Sequence, residues 1–386
     1  MRWSEIPREA KAYMLYHTLI APGLIVWILF PLYLMKTGYS ILEVGAFFTA
    51  VNIAAIPLTY LFGRLFNRWD IKKGLIAIDI LDGIAYVMYG LSSGAISSLM
   101  LFGGRAVEKL STLLYPLYRA YEQIIYPEDE YEEIFAWHLR LPEISRLITF
   151  PIMGYLLGYV YTEPGHYRLT FLFFGLFSVV TVTYLWLFLP SAGKEERISP
   201  EGFTFKAGEF KRLLAFETLL TLAWELAPEF VLINYVVFVL HKTVFEVTLI
   251  AVASSLASII GTYASERIPK EKGFQAISLG MFLNSFYALV MALAPPFWLA
   301  LVAYAIESFS GVFWFPFYRS WMFRLIPMEK ASELHAAISS YRRVIGLVTP
   351  LVAGALASIH PTLPYGASLL GFIVAGLFLL WIAKGR

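Results

Sequence analysis

The chain has 386 residues, of which 59% are hydrophobic, 17% aromatic and only 15% charged, with a mean hydropathy of +0.66. A water-soluble domain of this size would lack the polar surface to stay in solution, and apolar runs of about 20 residues, long enough to cross a bilayer as helix, recur throughout. The absence of cysteine excludes disulfides, thiolate metal sites and thiol catalysis, and a formal net charge of only +2 makes the placement of charge more informative than its sum.

In chain order, the apolar runs predict twelve transmembrane helices. Six lie near 12–35, 41–62, 74–92, 96–118, 137–160 and 167–189, and six near 213–239, 245–264, 274–294, 297–318, 334–357 and 362–383. The first run is too long for a cleavable signal and follows a mixed-charge lead-in containing Trp3. Basic residues alternate between loops. Arg2, Arg8 and Lys11 precede span 1; Arg64, Arg68, Lys72 and Lys73 follow span 2. Lys194, Arg197, Lys206, Lys211 and Arg212 lie between spans 6 and 7, and Arg267, Lys270 and Lys272 follow span 8. The opposite loops offer little beyond Lys36, Arg168 and Lys242. By the positive-inside rule both termini and the central linker are cytoplasmic, in a multi-pass protein of the cell membrane.

The chain also repeats itself. Tyr115-Pro116-Leu117-Tyr118-Arg119-Ala120-Tyr121 is answered 200 positions later by Phe315-Pro316-Phe317-Tyr318-Arg319-Ser320-Trp321, with Glu108 and Glu307 upstream. Tyr16-His17-Thr18-Leu19-Ile20 is answered by Phe216-Glu217-Thr218-Leu219-Leu220. Such self-similarity marks a duplicated architecture. Six spans return the chain to its starting side, so the repeats are parallel, related by an axis along the membrane normal. The expected organisation is an all-α membrane protein: a six-helix bundle over 1–190, a charged cytoplasmic linker over 191–211 and a second six-helix bundle over 212–386.

Charged groups inside a bilayer are costly and therefore candidates for function. At 100° per residue, span 4 places Arg105, Glu108, Lys109, Thr112, Tyr115 and Arg119 on one face. Span 10 places Glu307, Gly311, Trp314, Tyr318 and Trp321 on one stripe; span 7 collects Glu217, Thr221, Trp224, Glu225 and Pro228; span 1 offers His17, Pro22, Trp27 and Pro31. Arg105 and Glu108 are i,i+3 neighbours able to neutralise each other. Lys109 is expected to pair with Asp82 of span 3, and Asp79 to pack under the second loop. Arg146 and Arg342-Arg343 stand well inside spans 5 and 11, free to meet Glu143, acids of the other half, or an anionic substrate. Glu225 and Glu307 have no cation within a helical turn, which makes them the preferred proton carriers.

At the second loop, Gly63-Arg64-Leu65-Phe66-Asn67-Arg68-Trp69-Asp70-Ile71-Lys72-Lys73 resembles the signature loop of the major facilitator superfamily. Asn67 replaces the usual Asp, and Asp70 stands where Gly is expected. The second half keeps an acid–Arg pair, Glu266-Arg267, followed by Lys270 and Lys272, with Gly261 one position early. Arg105 resembles the family's buried arginine of span 4, and Pro151 with Gly154 resembles the Gly-Pro-rich motif of its antiporters without the flanking glycines. The resemblance implies that spans 1, 4, 7 and 10, the spans that carry polar stripes here, line a central cavity. It also implies a cytoplasmic gate at Gly63, Asn67, Arg68, Lys72, Lys73, Glu266 and Arg267; the alternative reading is that these charges only set topology.

No phosphate-binding loop, zinc-protease motif, Asp-rich cluster or selectivity-filter run occurs, so neither nucleotide hydrolysis, metal catalysis nor channel conduction is expected, and no cofactor or nucleic acid is implied. The reading is a monomeric, proton-coupled secondary transporter, not an enzyme, exporting amphipathic or cationic small organic molecules by alternating access. The substrate-cavity and coupling candidates are His17, Arg105, Glu108, Thr112, Tyr115, Glu217, Trp224, Glu225, Glu307, Trp314 and Tyr318. A proton-coupled importer of a sugar or organic acid using Arg105 or Arg146 is the alternative within this class. A lipid flippase, which needs a lateral apolar opening, or a membrane-bound lipid enzyme lies outside it.

Overall fold

The computed structural model describes residues 3–66, 70–127, 130–191, 207–326 and 331–384. Every regular element among them is helical. Among the described residues there are sixteen α-helices: α1 (Arg8–Ile20), α2 (Ile25–Lys36), α3 (Ile41–Phe66), α4 (Ile71–Gly90), α5 (Ser97–Leu114), α6 (Pro116–Ile125), α7 (Tyr131–Tyr155) and α8 (Pro164–Phe188), then α9 (Ala207–Glu225), α10 (Glu229–Ile233), α11 (Val244–Ser265), α12 (Gly273–Ala292), α13 (Phe297–Leu325), α14 (Ala331–Ile345), α15 (Thr349–Ile359) and α16 (Leu363–Lys384). Eight continuous segments among the described residues are long and apolar enough to cross a membrane: Arg8–Lys36, Pro164–Phe188, Phe210–Val239, Val244–Ser265, Lys270–Ala292, Phe297–Leu325, Ala337–Ile359 and Leu363–Lys384. Of the remaining expected spans, α4, α5 and α7 are helical too but carry more charge, and among the described residues Ile41–Pro57 of α3 is a shorter apolar helix.

The breaks have local causes. Pro22 sits in a 3-10 turn, Ala21–Leu24, between α1 and α2. Pro116 opens α6 after a joint at Tyr115, and Pro228 ends the path of α9 because it offers no N–H to continue the ladder. Between α14 and α15, the carboxylate of Glu225 fills the position a Cβ on Gly346 would take, 2.2 Å from Oε2, so a side chain there would displace that carboxylate. Some helices start with side-chain caps: Asp70 accepts from the Lys72 N–H at 2.8 Å at the start of α4, and Thr243 and Glu246 form a capping box on α11.

Packing follows the repeat. In the first half α4 lies against α5 and α8, and in the second half α12 lies against α13 and α16. Where the halves meet, α7 packs along α11, and α3 along α15. The α3–α15 crossing is close enough that a Cβ on Gly45 would lie 2.4 Å from the Pro350 carbonyl oxygen. Small residues at a contact let two helix backbones approach in lipid, where packing must replace the hydrophobic drive.

Candidate functional site

A cavity of about 430 Å³ lies between α7 of the first half and α9 to α13 of the second. Glu143 and Arg146 project from α7, Trp224 from α9, Glu229 from the start of α10, Tyr287 from α12, and Tyr304 and Glu307 from α13. Arg146 donates to both oxygens of Glu143, at 2.8 and 3.0 Å, and the Ser255 hydroxyl of α11 donates to the same carboxylate at 2.5 Å. Ser308 donates to Glu307 at 3.1 Å, and the Trp224 side chain lies within hydrogen-bonding reach of Glu307. Glu229 accepts no hydrogen bond among the described residues; its charged neighbours are Arg146 and Arg105. The cavity thus holds three carboxylates against one guanidinium, and that guanidinium is already bound to Glu143.

The polar stripes expected to share one cavity are divided. Of span 4, Arg105 and Glu108 form an ion pair at 2.5 Å, and the Tyr89 hydroxyl of α4 also donates to Glu108. Thr112 and Lys109 line a second cavity of about 300 Å³, with Glu225 of α9 and Arg343 of α14. Tyr115 and His17 line a third, of about 260 Å³, between α1, α4, α6 and α8 of the first half. The His17 Nε2 is buried without a hydrogen-bond partner. Glu217 is fully buried, accepts from the Tyr318 hydroxyl and lies 3.4 Å from Arg342. Trp314 is also fully buried, stacked on Trp224 with ring centroids 5.7 Å apart, and lines none of the three cavities.

One expected pairing is corrected. Lys109 does not reach Asp82, whose donor is the Ser111 hydroxyl one turn from Glu108. The helical rotation that brings Ser111 to α4 turns Lys109 toward α9 and α14 instead. Glu225, read as lacking a cation along its own helix, therefore has Lys109 as an electrostatic neighbour from the other half. Asp79 is held by the Tyr16 hydroxyl of α1 at 2.6 Å, a lateral contact between helices; residues 67–69 of the second loop, under which it is expected to pack, lie outside the described residues.

Of the expected gate, Asn67 and Arg68 lie outside the described residues, and Gly63 falls within α3. Lys72 donates to the Trp186 carbonyl at 2.9 Å; Lys73 and Arg267 are exposed. Glu266 meets Arg140 of α7, Nη2 to Oε1 2.7 Å, while the Arg140 Nε donates to Thr262 at 3.2 Å and its guanidinium lies 3.9 Å from the Tyr263 ring centroid. Arg140 thus ties the first half to the second at the end where the linker leaves. Beside it, Arg119 donates to Ser339 at 3.1 Å, and Gln123 bridges the Ile326 carbonyl and His335, each at 3.3 Å. Sequence reasoning missed Arg140, Gln123 and His335 because their partners lie in the other half of the chain. It missed Glu229 because the Pro228 break resets the rotation that a continuous helix would carry forward.

Removing the Arg140 guanidinium should loosen this closure. A charge-assisted hydrogen bond of about 2 kcal/mol corresponds to roughly a 30-fold change in an open–closed equilibrium. In Ser258→Cys, which places a thiol in the large cavity, a thiol reagent added from the linker side should react much faster once Arg140→Gln is introduced. Equal rates would mean that the bridge does not hold the closure.

These features define a multi-pass helical membrane protein whose two halves enclose polar cavities. The sequence profile of the Major Facilitator Superfamily matches residues 15–350, and the chain belongs to that superfamily. No curated protein sequence matches it. Among solved structures, the fold is similar to a bacterial homologue of the iron transporter ferroportin in its outward-facing state. That match has 14% identity and a TM-score of 0.69, over 98% of this chain and 100% of the other. It is also similar to the human organic anion transporter MFSD10 (13%, TM-score 0.71, 96% and 99%) and to a bacterial metal transporter (16%, TM-score 0.62, 99% and 100%). At these identities the likeness is one of fold.

Proposed function

We propose that the chain is a secondary active transporter of twelve membrane-spanning helices in two parallel six-helix repeats, which exports amphipathic or cationic small organic molecules in exchange for protons. The observation that carries this reading is the charge of the large cavity. With Glu143 neutralised by Arg146, Glu229 and Glu307 leave it acidic, between Trp224, Tyr287, Tyr304 and Phe315. Aromatic faces and carboxylates together favour a cation with apolar substituents. Among the described residues no cluster of three or more His, Asp or Glu side chains is placed to hold a metal ion, which favours an organic cation over a metal. The importer reading, which needs Arg105 or Arg146 for an anion, is weakened because Glu108 and Glu143 already bind them. Transport into liposomes under an imposed pH gradient, screened over organic cations, sugars and organic acids, tests the reading. Accumulation of sugars or acids with no response to cations would overturn it.

In this reading both termini and the linker are cytoplasmic, the protein acts as a monomer in the cell membrane, and the loop from Gly63 to Lys73 with Glu266 and Arg267 gates the cytoplasmic side. Single cysteines at Ser93 and Ser199 should react with an impermeant thiol reagent from outside and inside respectively. Reaction of both from one side would overturn the twelve-span topology.

A further inference from the structure

The second cavity differs from the first in the sign of its charge and in where it opens. It lies between α3 and α5 of the first half and α9 and α14 of the second, and holds two cations, Lys109 and Arg343, against one carboxylate, Glu225. Glu225 is engaged elsewhere: Thr349 donates to it at 2.9 Å, and its carboxylate fills the helix break at Gly346. Lys109 makes no hydrogen bond and no close ion pair among the described residues, its nearest acids being the electrostatic neighbours Glu225 and Glu108, and Arg343 makes a single hydrogen bond, to the Thr112 carbonyl. An ammonium and most of a guanidinium are thus left facing one enclosed space. Its walls include the apolar side chains Ile56 and Val344, which are 52% and 74% exposed, so the space opens at the protein surface beside apolar side chains.

We infer that this cavity is a lateral binding site for an anionic amphiphile, which seats a phosphate or carboxylate headgroup between Lys109 and Arg343 and leaves its acyl chain in the bilayer along Ile56 and Val344. Charge complementarity selects the headgroup, since unpaired cations in a low-dielectric setting gain most from a fixed anion. A volume of about 300 Å³ suits a headgroup and not a whole lipid, so the chain must stay outside. Phospholipid and fatty acid present the same chemistry here, and a free anion would lack only the tail. The site is separate from the acidic cavity, and its occupancy can be read without any transport assay.

The test uses the full-length protein in nanodiscs with two lipids of identical acyl chain, each carrying a diazirine on that chain: a phosphatidylglycerol and a phosphatidylcholine. Phosphatidylglycerol should label peptides covering 52–56 and 340–347 in clear excess over phosphatidylcholine. Lys109→Gln and Arg343→Gln should each lower that excess about fivefold, the worth of one cation near an anionic headgroup, whereas Arg343→Lys should retain most of it. Palmitate should compete with the label, and inorganic phosphate should not. Equal labelling by both lipids, or labelling indifferent to both glutamine substitutions, would reduce the cavity to ordinary lipid contact and overturn the inference. Displacement by inorganic phosphate but not by palmitate would assign the site to a free anion, overturning it equally.

Discussion

In Glu307→Gln, exchange of labelled substrate across a liposome membrane should persist, while accumulation driven by a pH gradient should fall to the level of protein-free vesicles. A gradient of one pH unit is worth about 1.4 kcal/mol, about tenfold accumulation for each proton exchanged; in the variant the ratio should be about one. The surroundings of the carboxylate single it out. Glu307 receives Ser308 at 3.1 Å and lies beside Trp224, but no cation is bonded to it among the described residues. The other carboxylates raised by the sequence are engaged: Glu108 by Arg105 and Tyr89, Glu217 by Tyr318 and Arg342. A group locked to a cation cannot easily change protonation between states, whereas one held only by neutral donors can. A cationic substrate entering the same cavity competes with the proton for Glu307, which is the linkage an antiporter needs.

Glutamine keeps the shape and the donors' partner but cannot take up or release a proton, so substrate binding should remain measurable and lose its pH dependence. Glu225→Gln is the companion. Because Lys109 lies near Glu225 from the other half, its loss should weaken coupling less than the loss of Glu307. Should the double variant still concentrate substrate against its gradient, proton coupling resides elsewhere, and Glu229, the unbonded acid of the same cavity, becomes the next candidate.

The fold was legible because a bilayer imposes a simple rule: long apolar runs become helices, and charges mark where helices end or face inward. Every expected span is helical, and the repeat near Tyr118 and Tyr318 reappears as equivalent side chains reaching α1 and α9. Tyr118 meets Tyr16, and Tyr318 meets Glu217. The site was legible only in part. Periodicity assigns a residue to a face of its own helix but not to a partner. Span 4 therefore looked like one polar face, although Glu108 turns to α4, Lys109 to α9 and α14, and Tyr115 to the third cavity. Breaks at Pro228 and Gly346 rotate the next helix out of register with the one before, which hid Glu229 and the seat of the Glu225 carboxylate. Contacts between the halves, such as Arg140 with Glu266, join positions 126 residues apart and leave no local pattern in either helix.

Gly45→Leu should abolish exchange as well as accumulation, and the reason lies in the backbone. At the α3–α15 crossing, a Cβ on Gly45 would stand 2.4 Å from the Pro350 carbonyl oxygen and 3.2 Å from the Gly354 Cα. Seen from the other helix, a Cβ on Gly354 would lie 2.9 Å from the Ile41 carbonyl oxygen. No side chain can rotate away to relieve either contact, so a larger residue must drive α3 from α15 and wedge the halves apart. Overpacking of this kind costs about 1–3 kcal/mol even where a core can adjust, and here the neighbouring bond from the Leu351 N–H to Thr49, at 3.0 Å, is strained with it. Gly45→Ala should lower the melting temperature in detergent, and Gly45→Leu should lower it further and stop exchange. Gly366→Ala serves as the control: its Cβ meets nothing within 4 Å, and replacing a helical glycine there should be neutral or stabilising by up to about 1 kcal/mol. If Gly45→Leu melts and exchanges like the parent while Gly366→Ala behaves as expected, the close crossing of α3 and α15 is not part of the working cycle.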